Sequence, residues 1–265
     1  MTTAKAFAAT RAEGRAALVG YLPAGFPTVE GSIEAMTAMV QAGCDVIEIG
    51  LPYSDPIMDG PTIQTAVQQA LEGGIRTADV LRTVEAVAAT GVPTLVMTSW
   101  NPVERYGVER FAAELSAAGG SGLITPDVTP EAVPEWIAAA DGRDLDKVFL
   151  VAPSSTDERL AMTTAACRGF VYATAVMGVT GARATTSELA PPLVARAKAT
   201  TALPIGVGLG ISTGDQAAEV AAYADAVIVG SAFVRTLLDA GTDRSAGLAG
   251  LRTLTDDLAK GVRRG

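Results

Sequence analysis

Residues 46–72 read VIEIGLPYSDPIMDGPTIQTAVQQALE, and this one stretch contains the unit from which the whole chain is built. Residues 46–50 form a short, β-branched and mostly apolar run, as expected of a strand buried on both faces of a parallel sheet. A proline-rich loop follows. Gly60-Pro61 then sets proline at a first helical position, where its missing N–H costs nothing, and residues 61–72 have the length of a helix.

The same alternation extends in both directions. Strands are expected at 17–22, 46–50, 94–98, 122–125, 148–152, 170–174, 205–208 and 226–229. Ala-rich segments of helical length fall at 30–42, 61–72, 78–89, 105–118, 130–140, 157–166, 187–199 and 213–222, and one near 244–262 closes the ring. Ser212 and Asp215 look like a capping box at one of these starts. Residues 4–14 are expected to form an extra helix under the sheet. With no linker or low-complexity tract, 265 residues suit one domain, 1–265, folded as a (β/α)8 TIM barrel with an extra N-terminal helix. An open, doubly wound sheet of eight strands is the rival.

Composition narrows the function. Hydrophobic residues make up 49% of the chain and charged residues 18%, which fits a packed core and excludes a disordered chain. A formal charge of −9 disfavours nucleic acid and anionic membranes as partners. No apolar run approaches the ~20 residues of a membrane span, and no secretory signal is legible, so a cytoplasmic location is expected. Cys44 and Cys167 suit small buried hydrophobes. The chain has no histidine, which removes histidine acid–base chemistry, Ser-His-Asp catalysis and the common zinc sites; no metal is expected. Its four lysines, Lys5, Lys147, Lys198 and Lys260, sit at the termini, at a helix end or at a strand start, so none is placed to form a Schiff base.

In such barrels the reactive groups stand at the C-terminal strand ends and in the loops that follow. Those places offer Glu48, Ser54, Asp55, Asp59, Ser99, Asn101, Asp127, Ser154, Tyr172 and Thr180. Glu48 lies inside a strand where a charge is expensive to bury. It is either one half of an ion pair with a distant arginine or an acid–base group tuned by desolvation. Asp59 is either an ordinary carboxylate beside a helix start or the second member of an acid–base pair. Gly208, Gly210, Gly230 and Ser231 follow strands seven and eight, where barrels commonly hold phosphate on backbone amides. GVTG at 178–181 adds a third glycine loop, followed by Arg183. The chemistry thus points to a phosphorylated small molecule.

Taken together, GYLPAGFPT (20–28), EIGLPYSDPIMDGPTIQ (48–64), NPVERYG (101–107), APSS (152–155), GFVY (169–172), GVTG (178–181), GLGIS (208–212) and VIVGSA (227–232) resemble the tryptophan synthase α-subunit family, in unbroken order from about residue 15 to 260. The resemblance implies cofactor-free retro-aldol cleavage of indole-3-glycerol phosphate to indole and glyceraldehyde 3-phosphate. It makes Glu48 the group that protonates indole C3 and helps deprotonate the glycerol hydroxyl, and Asp59 the partner of the indole N–H. Tyr172 matches a tyrosine near that glutamate, and Thr180 a lid threonine. Gly181, Gly210, Gly230 and Ser231 match phosphate binders, while Tyr21, Val96, Ser99 and Ile124 are expected around the indole. Ser99 stands where the family usually has tyrosine, and Ala175 where it commonly has serine. The resemblance also implies a pyridoxal-phosphate β-subunit in an α2β2 complex, met through loop 53–60. A stand-alone lyase releasing free indole, or a non-catalytic barrel that activates a β-subunit, are the other readings.

Overall fold

The structure, a computed structural model, describes residues 2–55, 58–174, 188–208 and 210–265. Eight parallel strands close into a barrel in sequence order: β1 (Ala17–Pro23), β2 (Val46–Gly50), β3 (Thr94–Met97), β4 (Gly122–Thr125), β5 (Asp146–Val151), β6 (Val171–Thr174), β7 (Ile205–Gly208) and β8 (Ala226–Val229). Pairing of β1 with β8, Ala17 against Ala226, closes the ring and excludes the open sheet. The sequence places every strand to within two residues.

Around it run α1 (Thr3–Ala12), α2 (Val29–Ala42), α3 (Pro61–Glu72), α4 (Thr77–Ala88), α5 (Trp100–Tyr106), α6 (Val108–Ala117), α7 (Pro134–Asp141), α8 (Asp157–Ala166), α9 (Ala190–Lys198), α10 (Gly214–Ala221), α11 (Ser231–Ala240) and α12 (Arg244–Gly261). Three details differ from the sequence reading. The helix expected over 105–118 is two, because Gly107 at φ 97° breaks the helical path. The segment 130–140 is a short 3-10 turn, Pro130–Ala132, and then α7, since Pro134 cannot donate to the preceding turn. The cap of α10 is Thr213, whose hydroxyl accepts from the Gln216 amide; Ser212, one residue earlier, instead donates to the Gln216 side chain.

Helix α11 is an addition that sequence reading missed. It packs on β1, α3 and α12 and buries Phe233, Val234 and Leu237 on one stripe.

Side chains alternate between two layers. Ala17, Val19, Val46, Leu95, Ile124, Val148, Phe170, Ala226 and Ile228 fill the barrel, while Leu18, Ile47, Ile49, Val96, Leu123 and Val227 face the helices. Helix α1 closes the lower end as expected: Phe7 packs on Phe170 with ring centroids 5.5 Å apart, and Thr3 ties to the buried Asp146. No helix among the described residues is long and apolar enough to cross a membrane.

Candidate active site

The barrel filling turns polar toward the C-terminal strand ends, and Glu48 marks the change. It follows inward-facing Val46 by two residues and pairs with Tyr21 on one side and Leu95 on the other. The side chain is 0% exposed. Among the described residues neither carboxyl oxygen has a hydrogen-bond partner. The alternative of a structural ion pair is therefore not realised among the described residues. Burial alone raises the Glu48 pKa from 4.5 to about 8.

Two tyrosines flank it, and three glycines make room for them. Tyr172, two residues after inward Phe170, lies over β7: a Cβ on Gly208 would stand 2.5 Å from its hydroxyl. Tyr21 lies over β2, where a Cβ on Gly50 would stand 2.3 Å from its hydroxyl. The root of the same ring lies against Gly230, whose Cβ would come within 3.2 Å of Tyr21 Cδ1. Gly208, expected from sequence at a phosphate, is a glycine for this packing reason. Burial raises both phenols well above their ordinary range. Asp59 and then Glu48 add to the effect at Tyr21, and Glu48 at Tyr172.

Asp59 reaches the same space from the loop after β2. It is the residue before Gly60, the N-cap of α3, and its backbone carbonyl accepts from Gln64. Among the described residues its carboxylate accepts no hydrogen bond from the helix start, so the capping alternative has no contact to support it. Partial burial raises its pKa to about 6.

The neighbouring loops show which other polar candidates have structural work. Asp127 accepts the Trp100 amide with both oxygens, 3.0 and 3.1 Å, and so caps α5. Tyr53 donates to Asn101 across 3.2 Å, tying the β2 loop to α5, and Ser54 donates to Asp55. Ser99 is the N-cap residue of α5 without using its hydroxyl as a cap, and it stands two residues past inward Met97. Ile124 lies in the barrel interior beside Met97. Val96 requires a correction as a pocket residue. It pairs with Ile49 and Leu123 and packs in the outer layer, so Leu95 and Met97 face the mouth in its place.

The loops after β7 and β8 carry the remaining glycine candidates. Gly210 adopts φ 70°, a conformation that a side chain disfavours. Gly230 is the N-cap of α11 and Ser231 its first residue. The opening amides of this ten-residue helix have no carbonyl one turn back and carry the positive end of the helix dipole. Helix α11, missed in the sequence, places a helix start directly after the Gly230 motif. Thr180, Gly181, Ala175 and Arg183 lie outside the described residues. Among the described residues no three carboxylates or cysteines are grouped to hold a metal ion.

The chain and its barrel match known proteins over nearly their whole length. The family model for the tryptophan synthase alpha chain matches residues 7–263. A tryptophan synthase alpha chain of Salinispora tropica is 65% identical over 258 residues, covering 97% of this chain and 96% of its own. A solved Mycobacterium tuberculosis tryptophan synthase chain superposes with a TM-score of 0.93 at 56% identity, over 99% of this chain and 98% of that one. The alpha chain of Legionella pneumophila subsp. pneumophila keeps a TM-score of 0.88 at 30% identity, over 99% and 97%. By sequence and by architecture alike, this chain belongs to the tryptophan synthase alpha chain family.

Proposed function

We propose that Glu48 and Asp59 divide the acid–base work of a retro-aldol cleavage carried out by a single-domain barrel. As a tryptophan synthase alpha chain, the protein is a lyase of tryptophan biosynthesis that cleaves indole-3-glycerol phosphate, carries no cofactor of its own and works with a β-subunit. Pyridoxal phosphate belongs to that β-subunit. A carboxyl with a pKa of about 8 is mostly protonated at pH 7, and one of about 6 mostly ionised. The two groups therefore begin as one acid and one base.

Glu48 gives its proton to indole C3 while Asp59 draws the indole N–H proton, producing the tautomer whose C3–C1′ bond can break. The bonding pair returns to the ring and restores the indole, and the nitrogen recovers its proton. Glu48, now ionised, takes the proton of the C1′ hydroxyl, which becomes the aldehyde of glyceraldehyde 3-phosphate. Protons balance, and both carboxyls return to their starting states. Tyr172 holds the space beside Glu48. Gly181, Gly210, Gly230 and Ser231 hold the phosphate, with Thr180 as a lid. Tyr21, Ser99, Ile124 and the inward residues of β3 surround the rest of the substrate. The β-subunit meets loop 53–60, and the complex is cytoplasmic.

The observation that carries this reading is the buried Glu48 carboxyl, unpartnered among the described residues, with a second raised carboxyl, Asp59, acting on the same Tyr21 phenol. A steady-state assay with indole-3-glycerol phosphate, with and without the cognate β-subunit, tests it. Slow cleavage that accelerates on adding the partner is expected. Fast cleavage by the isolated chain would make it a stand-alone lyase, and silence in both arms would make it a non-catalytic barrel.

A further inference from the structure

Tyr21 occupies a position that an indole contact does not explain. Its ring begins against Gly230, at the first amides of α11, and ends with its hydroxyl above Gly50, one inward position beyond Glu48 on β2. The phenol therefore spans the distance between the anion-holding rim and the acid–base carboxyl. The residue is 8% exposed, and among the described residues its hydroxyl has no hydrogen-bond partner while keeping an edge open to the mouth. A phenylalanine would supply the same apolar wall, so what the hydroxyl adds is a hydrogen bond to whatever occupies the mouth and buries it. A substrate with its phosphate on α11 and its reacting carbon at Glu48 must lay the connecting carbons along this ring.

We propose that Tyr21 is a specificity-determining residue whose hydroxyl hydrogen-bonds the glycerol hydroxyl that survives cleavage, the one between the reacting carbon and the phosphate-bearing carbon. The inference rests on the cleavage reaction proposed above. Glu48 serves the reacting hydroxyl; the next one along, toward the phosphate, falls to Tyr21. A donor that a bound analogue lacking that hydroxyl would bury without a partner is a strong basis for rejecting it. Tyr21 thereby selects three-carbon phosphates hydroxylated at the middle carbon over deoxy chains of equal length.

The test is a two-by-two comparison of wild type and Tyr21→Phe, each with indole-3-glycerol phosphate and with its analogue lacking the middle hydroxyl. In wild type, removing the hydroxyl should lower kcat/KM about tenfold or more; in Tyr21→Phe the two substrates should agree within about threefold. Equal discrimination by both proteins would overturn the assignment, as would unchanged kcat/KM for the full substrate in the variant. Thermal unfolding of the variant within a few degrees of wild type separates these outcomes from misfolding. Affinities of both proteins for glycerol 3-phosphate and for propane-1,3-diol phosphate read the same coupling without turnover. Inactivity of the unmodified protein would then count against the reaction, while Tyr21 would still be decided by binding.

Discussion

Replacing Glu48 by glutamine removes one ionisation from the barrel while keeping the shape of the side chain. In the unfolded chain this carboxyl titrates near 4.5, and in the folded protein near 8. A raised carboxyl holds its proton in the folded state over a range where the unfolded state has lost it. Folding stability therefore falls as pH rises from about 4.5 to about 8, and the full penalty is present above that window. At about 1.4 kcal/mol per pKa unit, the penalty is about 1 kcal/mol at pH 5, about 3 at pH 7 and near 5 above pH 9. Glu48 is fully buried, so solvent screening does not discount these figures. Glutamine escapes the penalty but leaves its amide unpaired, a roughly constant cost of about 1–3 kcal/mol. The informative quantity is thus the change with pH. Asp59 shifts in the same direction over a lower window, but it is present in both proteins and cancels. Urea unfolding at pH 5, 7 and 9 should show the variant gaining on wild type by about 2–3 kcal/mol from pH 5 to 7 and further to pH 9. A difference that stays flat across the series would refute the desolvated carboxyl.

Gly230→Val should lower glycerol-phosphate affinity about tenfold to hundredfold, since the side chain meets Tyr21 and blocks approach to the α11 amides; unchanged affinity by calorimetry would remove Gly230 from the phosphate site. Ser99→Tyr should tighten an indole-bearing substrate analogue about fivefold, an aromatic contact of about 1 kcal/mol, while leaving glycerol phosphate unaffected; equal affinities for wild type and variant would show that the pocket is already filled. β-subunit and substrate analogue should each tighten the other's binding, because loop 53–60 joins the docking surface to Asp59; β-subunit affinity identical with and without the analogue would contradict that coupling.

Most of the scaffold is written locally. Short β-branched runs set the strands, and Pro61 and the cap at Thr28 set helix starts that sequence reading places within a residue. What was not legible depends on register and on distant packing. Val96 is near Ser99 in sequence, yet strand alternation turns it to the helices. Gly50 and Gly208 are glycines because tyrosine hydroxyls from other strands lie on them, which no local pattern announces. Helix α11 was hidden behind the glycine motif at its start, although Phe233, Val234 and Leu237 carry a helical stripe. Glu48, by contrast, stood out from the sequence because a lone carboxylate inside an apolar strand is costly. The structure then removed the alternative of an ion pair among the described residues.

The most direct measurement is cleavage of indole-3-glycerol phosphate by Glu48→Gln in the presence of the β-subunit, with glycerol-phosphate binding measured on the same preparation. Loss of the acid–base group predicts a fall of about 10²–10⁴-fold in kcat with binding preserved. Cleavage within about threefold of wild type would contradict the assignment of Glu48 as the group that moves the protons.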